Sequence, residues 1–206
     1  MKLYYSPGAC SLAPHILLRE TNLPFELERV NTGTHQLGNG TDYYSINPKG
    51  QVPVLELEDG VRLSEGPVIA QYISEQAGRT DLLPAPGSRD RYRVLEWQNY
   101  ITSELHKSYT PLFGYGLSDE ANAVFRRVLR KKYEWVNEQL NGKLYLTGDD
   151  FSAADAYLFT VTNWARHVGL DLSDLSHLQN FQDRVAARPA VREAMQAEGL
   201  KTAVAA

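Results

Sequence analysis

The feature that most constrains this chain is a change of periodicity across Leu83-Pro84-Ala85-Pro86-Gly87-Ser88. Two prolines and a glycine in so short a stretch cannot continue a helix or a central strand, so it reads as a break. Ahead of it, short apolar runs mix with helical spacing. Behind it, apolar residues recur at helical spacing over long stretches: Val94, Ile101, Leu105 and Tyr109 up to Pro111, then Phe125, Leu129, Val136 and Leu140. A chain of 206 residues can hold one large domain or two small ones. We therefore expect an α+β region over 1–80, a linker over 81–87 and an all-α region over 88–206.

In the first region, Leu3 to Tyr5 is a short strand running into Pro7-Gly8. Leu12, Ala13, Ile16 and Leu17 mark one face of a helix that tolerates Pro14 in its first turn. Phe25 to Val30 reads as a second strand, and residues 31–50, rich in Gly, Asn and Thr, as a long loop with one helical turn. Val54-Leu55-Glu56-Leu57 and Val61-Arg62-Leu63 flank Glu58-Asp59-Gly60, a hairpin signal. Ser64-Glu65-Gly66-Pro67 opens a helix carrying Val68, Ile69, Tyr72 and Ile73. This order of elements resembles a thioredoxin-like domain. In the second region Ser152 and Asp155 have capping-box spacing, and Arg188-Pro189 begins a last helix.

The formal charge is −4 and no apolar run approaches the ~18 residues of a membrane span, so neither nucleic acid nor a membrane is an expected partner. Arg126, Arg127, Arg130, Lys131 and Lys132 read as a solvated helix face. Trp97, Trp135 and Trp164 are expected in the core. Cys10 is the only cysteine, which excludes an internal disulfide and a multi-cysteine zinc site; no other metal-ligand spacing appears. A lone thiol without an export signal points to a cytoplasmic setting.

Position singles out Cys10. It lies between a strand and a helix, where unpaired N–H groups and the helix dipole favour thiolate; the alternative is a small buried hydrophobe. Val52-Pro53 precedes the hairpin, where thioredoxin-like domains place a cis proline, and the pattern leaves cis and trans open. Glu65 and Gly66 open a helix, a place that suits an anion through its N–H groups or an ammonium through the carboxylate. Asn99, Ser103 and His106 share one polar helix face that either meets water or forms a wall beside the thiol.

Taken together, Met1 to Ser11, Asn47-Pro48-Lys49-Gly50-Gln51-Val52-Pro53, Ser64-Glu65-Gly66, Glu104-Leu105-His106-Lys107 and Phe151 to Tyr157 resemble the bacterial, beta-class glutathione S-transferases over the whole chain. The resemblance implies a thioredoxin-like domain followed by an all-α domain. It implies a homodimer with glutathione as co-substrate, no metal, and a small apolar electrophile as second substrate. By position, Cys10 faces the glutathione sulfur with Ser11 and His106 near it, and Val52 beside Pro53 pairs its backbone with the cysteinyl part. Glu65 and Gly66 hold the γ-glutamyl end, and Asn99, Ser103 and Glu104 contribute from the neighbouring subunit or the domain interface. Tyr109, Trp164 and His167 line the electrophile pocket. Two departures stand out: His35 replaces a lysine that contacts the glycine carboxylate in some relatives, and Gly66 replaces a serine. The implied chemistry is conjugation, with thiol–disulfide exchange through a Cys10 mixed disulfide as a second activity. The alternative is a non-catalytic carrier of hydrophobic ligands or a regulatory partner on the same fold. A Cys–His hydrolase is weaker, because no third residue is placed to orient the histidine.

Overall fold

A computed structural model describes residues 1–114 and 116–200. Its centre is β1 (Lys2–Tyr5), paired in parallel with β2 (Glu26–Asn31) and antiparallel with β4 (Val54–Glu56). β3 (Gln36–Leu37) and β5 (Arg62–Ser64) form the edges of the order β3-β2-β1-β4-β5. The parallel pair needs a crossover, and α1 (Leu12–Thr21) supplies it. β3 and a tight helical turn, Tyr43–Ser45, lie in the loop expected over 31–50. A strand of two residues is too short to show alternation in sequence.

α1 packs against α2 (Gly66–Gln76), α6 (Ala153–Thr162) and α8 (Pro189–Ala197). Every residue from Leu12 to Leu18 is therefore buried, His15 included. One core runs from Leu3 in the sheet through Ile16 and Leu17 to Leu158 and Met195. The stretch over 81–87 is anchored: Leu82 and Leu83 are buried, and the Leu82 carbonyl accepts the Ala153 N–H at 2.9 Å.

Ser88 caps α3 (Arg89–Tyr100) by accepting the Arg91 N–H. The helix continues through a π-helical segment, Ile101–His106, into α4 (Lys107–Tyr109), with the Lys107 N–H donating to the Thr102 carbonyl five residues back. α5 (Asp119–Gln139) and α7 (Ser176–Ala186) complete the helical layer. At the start of α6 the buried Asp155 accepts from the Ser152 N–H (2.8 Å), the Ser152 hydroxyl (2.6 Å) and the Leu146 N–H (2.8 Å), so the expected capping box is present.

Two expectations are corrected. Trp97 and Trp164 are buried, but Trp135 is 44% exposed, packed on Tyr100 and Trp97 along a surface groove. The basic face of α5 is partly spent on packing. Arg130 donates to the Asp171 carbonyl and pairs with Asp174, Arg126 donates to the Val168 carbonyl, and Lys132 pairs with Glu104. Among the described residues no helix is long and apolar enough to cross a membrane.

Candidate active site

The turn between β1 and α1 carries the thiol. Ser11 Oγ accepts the Ser6 N–H at 3.1 Å and donates to the Ser6 carbonyl at 3.2 Å, closing the turn from within. Gly8, at φ +70°, meets two distant residues there: its N–H donates to Glu198 Oε2 and its carbonyl accepts from Trp164 Nε1, both at 2.8 Å. Glu198 Oε1 also lies 2.8 Å from the buried His15 Nδ1. Cys10, partly exposed, donates its thiol to the Val52 carbonyl at 3.2 Å. Burial pushes this thiol up to about 11, outweighing the amides of Cys10 and Ser11 and the charge of Lys107. The resting group is a protonated hydrogen-bond donor, not the thiolate expected of a helix start.

Opposite the thiol, the Val52–Pro53 bond is cis. Asn47 Nδ2 and the Tyr43 hydroxyl both donate to the Gln51 carbonyl, at 2.6 and 2.9 Å, and fix the approach to it. The Val52 N–H has no hydrogen-bond partner among the described residues. Glu65 precedes α2 with φ 69° and ψ 112°, a sparsely populated conformation for a residue with a side chain. Its Oε1 accepts from Lys49 Nζ at 2.6 Å, and the Lys49 ammonium holds this carboxyl below the usual range. His35 stacks on Tyr44 at 4.6 Å, with Nδ1 3.2 Å from the Gly50 carbonyl. Gly50 is required by that packing, since a Cβ there would lie 2.7 Å from Tyr44 and 2.8 Å from His35. A Cβ at Gly66 would meet nothing within 4 Å.

His106, at the end of the π-helical segment, places Nδ1 2.6 Å from the Tyr157 hydroxyl and its ring edge-on to Trp164. Burial pulls its imidazole down to about 4, so it is neutral through the physiological range. Two cavities meet here. One, of about 390 Å³, is lined by Cys10, His35, Val52, Pro53, Glu65 and Gly66, with Lys49 and Tyr157. The other, of about 550 Å³, is lined by Leu12, Phe113, Trp164, His167, Met195 and Leu200 among others. Cys10, Thr32, His106 and Thr110 belong to both.

Several expected residues stand elsewhere. Ser11 is buried against Ser6 and lines neither cavity. Asn99 and Ser103 are exposed, Glu104 pairs with Lys132, and all lie outside their own chain's cleft. In the π-helical segment Thr102, not Ser103, shares the cleft with His106. The wider turn rotates the face that an ordinary helix would show. Tyr109 is buried behind the second cavity, donating to the Tyr133 hydroxyl and packing on Trp164. Among the described residues no group of His, Cys, Asp and Glu is arranged to hold a metal.

Comparison with known proteins decides the family. The family models described as "Glutathione S-transferase, N-terminal domain" and "Glutathione S-transferase, C-terminal domain" match residues 8–76 and 102–189. The chain is 48% identical to glutathione S-transferase GstA of Escherichia coli O157:H7 over 98% of its own length and all of the relative's. It belongs to the glutathione S-transferases. A bacterial beta-class enzyme from Sphingomonas chungbukensis superposes with a TM-score of 0.93 at 41% identity, covering 98% of this chain and 100% of that one. A sphingomonad glutathione S-transferase complexed with glutathione superposes equally well, TM-score 0.93 at 42% identity over 98% and 100% of the two chains. The thioredoxin-like domain and the helical domain are those of this family.

For a glutathione S-transferase, the sequence reading missed Lys49, Thr102, Phe113, Tyr157 and Glu198. Lys49 and Tyr157 lay inside the motifs used for the resemblance, without roles assigned to them. Glu198 carried no local signal, because its partners Gly8 and His15 are more than 180 residues away in the chain.

Proposed function

We propose that this glutathione S-transferase binds glutathione in the smaller cavity and transfers its sulfur to a small apolar electrophile in the larger one. The observation that carries this reading is the meeting, at Cys10 and His106, of a cavity that carries Lys49, Glu65 and Lys107 with a second one walled in part by Leu12, Phe113, Trp164, Met195 and Leu200. The free Val52 N–H suits the cysteinyl backbone of a bound peptide, as at a sheet edge. Glu65, held ionised beside Lys49, suits the γ-glutamyl ammonium, and the amides at the start of α2 suit its carboxylate. His35, Lys49 and Lys107 bring donors toward the glycine carboxylate. At the sulfur, the protonated Cys10 thiol and the neutral His106 are both equipped to donate to a glutathione thiolate. Glutathione gives up its thiol proton to solvent as it binds; the thiolate attacks the electrophile's carbon, and the displaced group leaves with its electron pair.

Exchange through Cys10 is the subordinate activity. It needs Cys10 as the attacking thiolate, and burial works against that form. A homodimer belongs to the same reading: Asn99, Ser103 and Glu104 face away from their own cleft, where a second copy's cleft can use them. The experiment is calorimetry with reduced glutathione, alongside a spectrophotometric assay with an aryl halide. Glu65→Ala should weaken binding ten- to a hundredfold, about 1.5–3 kcal/mol for a hydrogen bond to a charged group. Unchanged affinity would refute the cavity assignment.

A further inference from the structure

Lys49 is rooted at one end of the smaller cavity and ends at the other. It precedes Gly50, whose carbonyl lies 3.2 Å from His35 Nδ1, and its own N–H donates to Asn47 Oδ1 at 3.1 Å. From that root the side chain runs to the start of α2, where Nζ donates to Glu65 Oε1 at 2.6 Å and to Ser64 Oγ at 3.0 Å. The protein thus places an ammonium of its own in the seat that the γ-glutamyl ammonium takes in the proposed complex. Two ammonium groups at one carboxylate repel each other, so a ligand's ammonium competes with Lys49 for Glu65. We propose that Lys49 is a specificity-determining residue: it fills the ammonium seat on Glu65 in the free protein and passes, on binding, to the glycine carboxylate of glutathione at the His35 end. A ligand with an ammonium but no carboxylate at its far end evicts Lys49 without offering it a new partner. One side chain thereby reads both ends of the tripeptide.

The surroundings suit an exchange of partners. Both side chains of the pair are exposed, so the contact is loosely held and cheap to open. A lysine is a compact charge on a long flexible stem, without the planar fork that ties an arginine to one geometry. Glu65 is the fixed member, set at the head of α2 by a backbone with φ 69°. The seat therefore stays while its occupant changes. The groups that face this carboxyl are Lys49, Lys107 and His106; Lys49 does most to hold it ionised, and Lys107 acts on it in the same sense. Lys107 also acts on the Cys10 thiol, which places its charge toward the sulfur. At the far end His35 is engaged with the Gly50 carbonyl and stacked on Tyr44, and it brings an imidazole where Lys49 would bring an ammonium.

The exchange rests on the glutathione reading of this cavity; the resting contact does not. The test therefore begins without ligand, with a carbon-13 titration of the Glu65 carboxyl, its signal assigned by Glu65→Gln. Lys49→Met should move the Glu65 midpoint up, and an unchanged midpoint would overturn the proposal. The second measurement is calorimetry with glutathione and with its monoethyl ester, blocked at the glycine carboxyl. Lys49→Met should bind the ester about two- to fivefold tighter than the wild type does, the range of an exposed ion pair. Glutathione should change by less than about twofold, because the lost carboxylate contact offsets the vacated seat. Equal changes for the two ligands would overturn the exchange. If neither ligand binds the wild type, the reading of the cleft fails, and the carboxyl titration still decides whether Lys49 holds Glu65.

Discussion

The two walls of the cleft are built on opposite electrostatic plans. On the Glu65 side the groups are charged and open to water: Lys49 and Glu65 pair at 2.6 Å with side chains 48% and 62% exposed. On the Cys10 side they are neutral and drier: a protonated thiol, a neutral imidazole and a tyrosine hydroxyl, in each of which burial further disfavours the charged form. An exposed pair contributes little to stability and is free to exchange partners with a ligand. A buried neutral network is costly to disturb and holds its geometry. The first wall is suited to gripping a charged peptide; the second, to placing donors around a developing thiolate without reorganising. The walls differ in support as well. The charged wall is held by neighbours in sequence, the dry wall by Trp164 and Glu198 from the far end of the chain.

That difference can be broken most directly at Glu198. Glu198→Ala leaves the half-buried Gly8 N–H and the buried His15 Nδ1 without their partner, at a cost of about 3 kcal/mol in chemical denaturation. A loss under about 1 kcal/mol would mean that Ser11 within the turn carrying Cys10 and the Trp164 Nε1 donor at Gly8 fix it without Glu198.

The protonation of the dry wall gives the next largest effect. Because the folded Cys10 is raised from 9.0 to about 11, its thiolate is scarce at neutral pH and grows as pH rises toward that value. Iodoacetamide reads Cys10 alone, as the only cysteine. Its rate should climb about tenfold per pH unit through the neutral and mildly alkaline range without levelling. A plateau near neutrality would make the thiol a nucleophile at rest and shift weight from conjugation to exchange. His106, neutral above about 4, should add no step of its own to a pH–rate profile in the same range.

Much of this was legible in sequence, but unevenly between the walls. The strands around Leu3 and Val54, the hairpin at Asp59-Gly60 and the capping box at Ser152 and Asp155 follow from local chemistry, and the structure contains them. The charged wall follows largely from short motifs: Val52, Glu65 and Gly66 are read there, while Lys49 lies in the stretch that carries Val52 without its pairing to Glu65 being visible. Of the dry wall, Cys10 and His106 follow from motifs in the same way, but the neighbours that set their surroundings do not. The π-helical turn replaced Ser103 by Thr102 beside His106, and nothing in the residue types announces a hydrogen bond that skips five residues rather than four. Trp135 was misjudged for a related reason. An aromatic residue at helical spacing reads as core, and only packing shows that its neighbours Trp97 and Tyr100 shield one face and leave the other to water. The thiol's protonation inverted the expectation because a helix start is visible in sequence whereas the burial that outweighs it is not.

The smallest expected effect tests whether the charged wall is as permissive as its exposure implies. At Gly66 a Cβ meets nothing within 4 Å, and the backbone is not in the left-handed region, so Gly66→Ser should leave folding stability within a few tenths of a kcal/mol. The new hydroxyl at the start of α2 gives a bound carboxylate one more donor beside the amides. Calorimetry should then show glutathione binding tightened severalfold, about 1 kcal/mol at most for one solvent-exposed hydrogen bond. The same change within the dry wall would strand or crowd a neutral partner and could only weaken it. Tighter binding from Gly66→Ser therefore marks a wall with room to gain. Weaker binding would show that the ligand's carboxylate already packs against Gly66, and that the charged wall too depends on close fit.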